Sequence, residues 1–282
     1  MAIWQTSRFK LDLTRPQVMG IVNVTPDSFS DGGTHDTPVS ALKHAEQLLK
    51  EGADILDIGG ESTRPGIAAV SLEDELARVM PVVQEAVKLG VPVSVDTYKP
   101  EVMQAVLDAG ADIINDIWGL RMPGAEAVVA AHPNCGVCVM HMHGEPQTMQ
   151  LTPMAGDVVP VVSQFLFERA CSLMQQGISY ERIVLDYGIG FGKTVEQNFA
   201  LLTHQQDILA LGFPLLAGWS RKSSLGAVTG RDVTQRTAAS IAVATLAVAQ
   251  GARIVRVHDV AATVDAIKVC CAVTHGGQSC VV

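Results

Sequence analysis

One phrase recurs along the chain and restricts its possible folds more than any other feature. A glycine or a short linker leads into a brief apolar or β-branched run, and most of these runs end at a polar residue. The phrase is found at residues 52–57, 90–96, 110–115, 136–141, 183–186, 212–218 and 251–258. Together with an opening run at 20–24, these segments are typical of buried parallel strands.

The stretches between these segments have helical spacing and helix end signals. Ser71 with Asp74 and Thr194 with Gln197 predict capping boxes, and Gly90 predicts a helix end. Strands that alternate with helices in this way over about 250 residues are typical of a (β/α)8 barrel, the TIM barrel of the α/β class. A doubly wound open sheet is the alternative. The barrel is favoured because no strand precedes a dinucleotide fingerprint and no change in composition marks a second domain.

We therefore expect a single domain over residues 1–282, with a barrel core at about 18–272 and a flexible tail at 274–282. Residues 9–13, before the first barrel strand, predict a short hairpin over the barrel floor.

Composition limits the classes of function. Hydrophobic residues make up 48% of the chain and charged residues 17%, which predicts an ordered globular protein. The formal charge of -9 argues against nucleic-acid binding, so an anionic ligand would need a local basic pocket. No signal-peptide core or membrane-spanning run is recognisable, and we expect a cytoplasmic protein without membrane contact. The six cysteines lack zinc-site spacing and are expected to be buried thiols.

Nearly every predicted strand is followed by polar residues. In a barrel of this kind the carboxyl ends of the strands meet at one mouth, where active sites lie. The residues expected there are Asn23, Asp57, Asp96, Asn115, Asp116, His141, Asp186, Ser220, Arg221, Lys222, Arg256 and His258. Helix capping explains one or two such residues but not the whole set. Taken alone, the carboxamide of Asn23 is either a satisfied core group or a ligand to something bound.

These polar residues are of two kinds, which predict two halves of one ligand. Asp96, Asn115 and Asp186 offer acceptors and a carboxamide, and the apolar residues expected beside them are Ile117, Met140 and Phe191. That combination suits a planar heterocycle with several N–H donors. The cations suited to a phosphate or carboxylate are Arg64, Arg221, Lys222, Arg256 and His258. The predicted ligand is a planar, nitrogen-rich ring that carries an anionic group.

Three other motifs fail on inspection. GKT at 192–194 resembles the end of a P-loop, but the required first glycine is replaced by Tyr187. GIGFGK at 188–193 lacks the third glycine of a dinucleotide fingerprint. His141 and His143 could form a metal pair, but the set of strand-end histidines for a hydrolytic metal site is incomplete. A hydrogen-bonded His141 with an outward-facing partner is favoured.

Seven motifs in this order make the chain resemble the dihydropteroate synthase family of pterin-binding enzymes in folate biosynthesis. They are GIVNVTPDSFSDGG at 20–33, DIGGESTRPG at 57–66, SVDT at 94–97, IND at 114–116, GIGFGK at 188–193, SRKS at 220–223 and RVH at 256–258. The resemblance extends from about Val18 to Ala272. It implies that 6-hydroxymethyl-7,8-dihydropterin diphosphate condenses with 4-aminobenzoate to give 7,8-dihydropteroate and diphosphate.

The resemblance also implies which residues bind the pterin diphosphate. The pterin would be held in a pocket formed by Asp96, Asn115, Ile117, Met140, Asp186, Phe191, Gly218 and Lys222. The diphosphate would contact Thr63, Arg64, Arg256 and His258. Asn23 would ligate Mg²⁺ bound to the diphosphate, and Mg²⁺ is the cofactor expected.

For 4-aminobenzoate, the resemblance implies contacts with Phe29, Pro65, Phe191, Lys222 and Ser223. Its carboxylate would meet Ser223 at a helix N-terminus, where backbone N–H groups favour an anion. Two segments rich in glycine and serine, 25–36 and 60–69, are expected to be mobile loops over the mouth. Phe29 would close over the arylamine; the alternative is an apolar anchor that only holds its loop down.

The chemistry follows from charge. The arylamine is neutral and carries its lone pair, so the more difficult step is departure of diphosphate, which leaves a methylene cation conjugated with the pterin ring. We predict a dissociative, SN1-like substitution in which Asp96 stabilises the cation, while Mg²⁺ and the basic residues stabilise the leaving group. Asp96, Lys222 and Asn23 are the expected catalytic residues.

One position departs from the family pattern. Tyr187 replaces the usual proline of Asp-Pro-Gly, and we expect a phenol near the mouth, altered pterin affinity and tolerance of Tyr187→Pro. By strand alternation, Trp219 should point away from the pocket.

The resemblance also implies a homodimer through the late helices, including residues 237–250, whose faces carry small residues. Two other functions are considered. A pterin-dependent methyltransferase is disfavoured by SRKS at 220–223 and by the complete first loop. A non-catalytic pterin-binding protein would be expected to have lost Asn23, Asp96 or Lys222, and all three are present.

Overall fold

Eight parallel strands close into a barrel in the computed structural model, which describes residues 3–25, 37–62, 68–145 and 147–274. The barrel strands are β3 (Gln17–Asn23), β4 (Ile55–Gly59), β5 (Val93–Asp96), β6 (Ile113–Asp116), β7 (Gly136–Met140), β8 (Ile183–Asp186), β9 (Leu215–Ala217) and β10 (Ile254–Val257). Each strand pairs with its neighbour in sequence, and β10 pairs with β3 to close the barrel. The predicted (β/α)8 barrel is confirmed, because each of the eight sequence segments overlaps one of these strands.

Helices cover the outside of the barrel between the strands. They are α1 (Thr37–Lys50), α2 (Leu72–Ala86), α3 (Pro100–Asp108), α4 (Ala125–Ala131), α5 (Val158–Gln175), α6 (Val195–Thr203), α7 (Gln205–Leu209), α8 (Ser223–Thr229), α9 (Thr237–Ala249) and α10 (Val260–Thr274). Ser71 Oγ accepts a hydrogen bond from the Asp74 backbone, and Thr194 and Gln197 form a reciprocal capping box. These side chains satisfy N–H groups that the first helical turn leaves unpaired.

The predicted hairpin is present at the barrel floor. Strands β1 (Ile3–Gln5) and β2 (Lys10–Asp12) pair antiparallel, and Trp4 is fully buried among apolar side chains from the starts of the barrel strands. Its indole Nε1 donates to the carbonyl of Arg182 at 3.0 Å. Gly136 permits this approach, since a Cβ there would lie 3.1 Å from Trp4 Nε1. The floor is therefore filled by side chains, and the opposite end of the barrel is left for a site.

The end of the chain was expected to be a flexible tail over residues 274–282. Thr274 is the last residue of α10, and residues 275–282 lie outside the described part of the structure. Among the described helices, none is both long enough and apolar enough to cross a membrane.

Candidate active site

The strand register brings the predicted polar strand ends together at the mouth. Asp96 on β5 lies opposite Asn115 on β6 and Gly59 on β4, and Asp186 on β8 lies opposite Met140 on β7. Asn115 Nδ2 donates to Asp57 Oδ2 at 3.3 Å. Because carboxyl ends of parallel strands share one rim, residues far apart in sequence become neighbours here.

Arg256 on β10 connects two of these carboxylates across the barrel. Its Nε donates to Asp57 Oδ2 at 2.6 Å and its Nη2 donates to Asp96 Oδ2 at 2.8 Å. The Asp57 side chain is fully buried and that of Asp96 is 14% exposed. Sequence reasoning included Asp57 among the polar strand ends but assigned it no role. Its signal was a carboxylate inside an otherwise apolar parallel strand.

Burial shifts the protonation equilibria of the charged groups at the mouth. It raises the pKa of Asp96 to about 7; Arg256 opposes the rise and the carboxylate of Asp57 adds to it. Burial also raises the pKa of Asp186, and it lowers the pKa of Lys222 to about 8 with a further contribution from repulsion by Arg256. Groups with such shifts in a concave site are typical of active sites.

An apolar cluster lies beside these charges. Ile117, Met140 and Phe191 are all buried and pack in one cluster with Met142 and Met149. The predicted apolar lining is therefore brought together.

Two further predicted pterin residues lie close to this cluster or to Asp186. The ammonium of Lys222 lies 4.2 Å from the centre of the Phe191 ring, a cation–π contact. Gly218 leaves space beside Asp186, since a Cβ there would lie 3.7 Å from Asp186 Oδ2. The apolar cluster thus adjoins a set of hydrogen-bonding groups that includes Asp186 and Lys222.

Two of the residues predicted to be anion-binding cations, His258 and Arg221, either favour the neutral form or are already paired with a carboxylate. His258 Nδ1 lies 2.9 Å from Ser220 Oγ, and burial lowers the pKa of His258 to about 3, so the neutral imidazole is favoured. Arg221 is paired with Asp259 at 2.8 Å. Its backbone has φ of +59°, a left-handed conformation that non-glycine residues rarely adopt. Arg256, in contrast, donates directly to Asp57 and Asp96, and Lys222 lies against the Phe191 ring.

Several predicted site residues lie outside the described residues or at the rim. Thr63, Arg64, Pro65 and Phe29 all fall in undescribed segments, as do residues 26–36 and 63–67 of the two predicted mobile loops. Ser223 is exposed as the first residue of α8. Asn23 is the last residue of β3 and is partly exposed. Within the described residues, no group of three or more His, Cys, Asp or Glu is arranged to hold a metal ion.

Two of the predicted strand-end residues have a structural role instead. The Asp116 carboxylate accepts hydrogen bonds from the backbone N–H groups of Trp118 and Leu120 at 2.6 and 2.8 Å, so it shapes the loop after β6. His141 packs edge-on against Phe165, and its Nδ1 is buried with no hydrogen-bond partner among the described residues. The expectation of a hydrogen-bonded His141 side chain is wrong for this nitrogen.

The expectation that Tyr187 adds a phenol near the mouth is also wrong. Tyr187 is fully buried; its hydroxyl accepts a hydrogen bond from Trp219 Nε1 at 3.1 Å and donates to Gln205 Oε1 at 3.2 Å. Trp219 also packs on Phe199 of α6, so the prediction that it points away from the pocket is confirmed. Successive strand residues face opposite sides, and Tyr187 follows Asp186 onto the helix side.

A second ionic cluster at the mouth was not found from the sequence. Lys99 Nζ donates to Glu61 Oε2 at 2.5 Å and also to Glu75 of α2. The Tyr98 hydroxyl donates to Glu61 at 3.0 Å. These contacts fix Glu61, two residues before Thr63, between α2 and the loop after β5.

Comparisons with known proteins agree with this geometry. The family model of pterin binding enzymes matches residues 19–258. A dihydropteroate synthase of Neisseria meningitidis serogroup B is 51% identical over 273 residues, which cover 95% of this chain and 96% of the relative.

Solved structures are similar over almost the whole chain. The dihydropteroate synthase of Xanthomonas albilineans with 4-aminobenzoic acid has 50% identity and a TM-score of 0.92, covering 97% of this chain and 98% of that one. The dihydropteroate synthase of Burkholderia cenocepacia complexed with 7,8-dihydropteroate has 52% identity and a TM-score of 0.89, covering 98% and 97%.

Proposed function

The chain belongs to the pterin-binding enzyme family and acts as a dihydropteroate synthase, and from that premise we propose which residues at its barrel mouth bind each substrate and promote the reaction. The enzyme joins the methylene carbon of 6-hydroxymethyl-7,8-dihydropterin diphosphate to the nitrogen of 4-aminobenzoate. The C–O bond to diphosphate breaks, a C–N bond forms, and the amine loses one proton.

The pterin ring occupies the slot between Met140 and Phe191, with Ile117 at its side and Gly218 providing space. Asp96, Asn115 and Asp186 bind its polar edge, and Lys222 completes the pocket. The support is the combination of a flat apolar cluster with buried carboxylates that retain acceptor capacity. A ring with several N–H donors is the ligand that such an edge recognises.

The diphosphate lies towards Arg256 and His258, with Thr63 and Arg64 as further ligands. An approaching anion raises the pKa of His258, so binding favours the imidazolium that burial otherwise disfavours.

The residues present fit Mg²⁺ on the diphosphate. The Asn23 carboxamide is partly exposed, offers a hard oxygen, and has no side-chain hydrogen bond within the described residues. Mg²⁺ is commonly held by few protein oxygens together with substrate phosphates and water. When bound, the ion offsets negative charge on the diphosphate oxygens.

The 4-aminobenzoate lies on the outer side of the pterin. Its carboxylate meets Ser223, and Lys222 supplies positive charge nearby. Phe191, Phe29 and Pro65 are the further contacts proposed for the 4-aminobenzoate. This order leaves the amine facing the pterin methylene carbon.

The observation that carries the proposed mechanism is the Arg256–Asp96 ion pair, 2.8 Å long, at the junction of the pterin and diphosphate regions. As the C–O bond breaks, diphosphate gains negative charge and the pterin methylene group gains positive charge. A fixed cation and a fixed anion beside these two charges stabilise the transition state more than the ground state. The substitution is therefore dissociative, with Asp96 beside the developing cation.

The test uses pterin diphosphate with oxygen-18 in the bridging C–O–P position, together with Mg²⁺. Diphosphate release that depends on 4-aminobenzoate reports the condensation. Without 4-aminobenzoate, return of diphosphate to the cation should move the label to non-bridging positions in recovered substrate. Absence of arylamine-dependent release would refute the catalytic function, and release without label movement would contradict the dissociative pathway.

A homodimer through α9 and α10 is proposed on the basis of their exposed apolar side chains. Leu246 of α9 is 52% exposed, and Val269 and Val273 of α10 are 66% and 77% exposed. The partner proposed for this surface is a second copy of the chain, since apolar patches on helices commonly mark interfaces. Sedimentation at several concentrations should give the dimer mass, and Leu246→Glu should shift the equilibrium to monomer.

A further inference from the structure

Lys193 is a buried cation that the assigned pocket residues do not include. Its side chain is 2% exposed, and its Nζ donates to three backbone carbonyls, those of Gly188 at 2.8 Å, Phe191 at 3.2 Å and His141 at 3.3 Å. An ammonium has three N–H donors, and each is matched here by one carbonyl. Burial lowers the pKa of Lys193 to about 7, with Asp186 opposing this shift and Lys222 adding to it.

These carbonyls converge because two segments approach unusually closely. The loop after β8 crosses the end of β7 so tightly that a Cβ at Gly188 would overlap the His141 carbonyl, and a Cβ at Gly192 would overlap that of His143. Carbonyl dipoles that point at one buried spot repel one another, and each is costly to leave unpaired. The Lys193 ammonium supplies the donors and the positive charge that hold this arrangement together.

The same loop carries two groups assigned to the pterin pocket. The Gly188 N–H donates to Asp186 Oδ1 at 2.7 Å, which fixes the orientation of that carboxylate. The Phe191 N–H donates to the Gly188 carbonyl at 3.2 Å, and the Phe191 ring lies under Lys222. A shift of the loop would therefore displace both the polar edge and the flat face of the slot.

We propose that Lys193 is a positioning residue for the pterin, which acts without touching the substrate by fixing the loop that holds Asp186 and Phe191 in place. The proposal rests on the assignment of those two residues to the pterin pocket. It extends that assignment by naming the group that keeps the pocket preorganised.

Arg182 provides a matched control. It is 3% exposed. Within the described part of the chain, its guanidinium also donates to three backbone carbonyls; these are the carbonyls of Cys135, Val129 and His132, at 2.7 to 2.8 Å. However, Arg182 directly precedes β8 and lies at the barrel floor. A variant at this position loses a comparable buried cation far from the pocket.

The experiment compares Lys193→Met with Arg182→Met by urea unfolding and by the Kd for the pterin diphosphate. Both variants should be less stable. Only Lys193→Met should weaken pterin binding, by about ten-fold, with a matching rise in KM and a smaller change in kcat at saturation. Lys193→Gln, whose amide retains two donors, should be intermediate and remains informative if Lys193→Met does not fold. Loss of stability at Lys193 without loss of affinity would overturn the proposal.

Asp186→Asn separates this proposal from the pocket assignment itself. If Asp186→Asn weakens pterin binding but the Lys193 variants do not, the positioning role alone is wrong. If Asp186→Asn leaves the affinity unchanged, the pterin assignment of Asp186 fails and the role of Lys193 fails with it. In a double-mutant cycle the two substitutions should be clearly non-additive, because Lys193 acts through the loop that orients Asp186.

Discussion

Arg256 Nη2 donates to Asp96 Oδ2 at 2.8 Å, although the two residues come from β10 and β5, which are not adjacent in the barrel. The same guanidinium holds Asp57 through its Nε. One cation thus pairs with two carboxylates, and Asp57 and Asp96 in turn raise the pKa of Arg256, although burial alone would lower it. Folding and catalysis therefore depend on the same ion pair network.

Removing the cation should cost both stability and turnover. In Arg256→Gln the two carboxylates face each other unpaired, and we expect the free energy of unfolding to fall by about 3–5 kcal/mol. In the double variant Arg256→Gln/Asp57→Asn, stability should largely return while turnover stays low, because the diphosphate still lacks its cation. Urea unfolding and steady-state kinetics measure the two effects separately.

A more exposed ion pair serves as the control for this prediction. Arg15 pairs with Asp54 at 2.7 Å, with side chains 40% and 19% exposed. Arg15→Gln should change stability by only about 0.2–1 kcal/mol. If Arg256→Gln were no more destabilising than Arg15→Gln, the network at the mouth would not contribute as described.

Asp96→Asn should reduce kcat by about 10²–10³-fold, because the amide keeps the shape of the side chain but cannot stabilise a developing cation. Pterin affinity should fall much less, since an amide still hydrogen-bonds. The pH profile gives an independent reading. Because the pKa of Asp96 is raised to about 7, its ionised fraction decreases as the pH drops below that value, and kcat/KM should fall with it.

The fall of kcat/KM below pH 7 should be absent in Asp96→Asn. The measurement is kcat/KM for the pterin diphosphate between about pH 5.5 and 8, which extends about one to two units around the pKa. Asp108→Asn, at an exposed carboxylate on α3, should keep the profile of the unaltered chain. An unchanged fall below pH 7 in Asp96→Asn would assign it to another group, and unchanged turnover would remove Asp96 from the mechanism.

The barrel itself could be predicted because its signals are local. A glycine, an apolar run and a polar end are read from a few consecutive residues, and the strand order then follows from right-handed crossovers between neighbouring strands. The mouth position of Asp96, Asn115 and Asp186 follows from the same rule. In each case the sequence position relative to the strand end determines which rim the residue occupies.

The pairings within the site could not be predicted in the same way. Arg256 meets Asp57 over 199 positions of sequence, and no local pattern indicates which strand-end charges touch across a barrel. Lys193 was considered only as part of sequence motifs and was assigned no role, since its partners are backbone carbonyls that side-chain patterns do not encode. Tyr187 was placed on the wrong side because the strand alternation applied to Trp219 was not applied to it.

The packing of Tyr187 reverses the expected effect of Tyr187→Pro. Loss of a fully buried aromatic side chain should destabilise the protein by about 3–5 kcal/mol. Tyr187→Phe keeps the volume but leaves Trp219 Nε1 and Gln205 Oε1 without their partner, at a cost of about 1–3 kcal/mol. Neither change should tighten pterin binding. Tyr180→Phe, at a 43% exposed tyrosine that also donates a hydrogen bond, is the matched control for urea unfolding.

His141 should make the protein sensitive to acid. Burial lowers its pKa to about 2, with repulsion from Lys193 and Arg121, whereas an unfolded histidine titrates near 6.5. Between these values the unfolded chain binds the extra proton, so stability is greatest above about pH 6.5 and is lost as the pH falls towards the folded value. From pH 7 to 5 this histidine should account for about 2 kcal/mol of the decline in the free energy of unfolding.

In His141→Leu, the free energy of unfolding measured with urea should decline correspondingly less between these pH values. His204→Gln, at a 58% exposed ring, is the control and should follow the unaltered chain. Parallel declines for His141→Leu and the unaltered chain would show that the imidazole becomes protonated without unfolding.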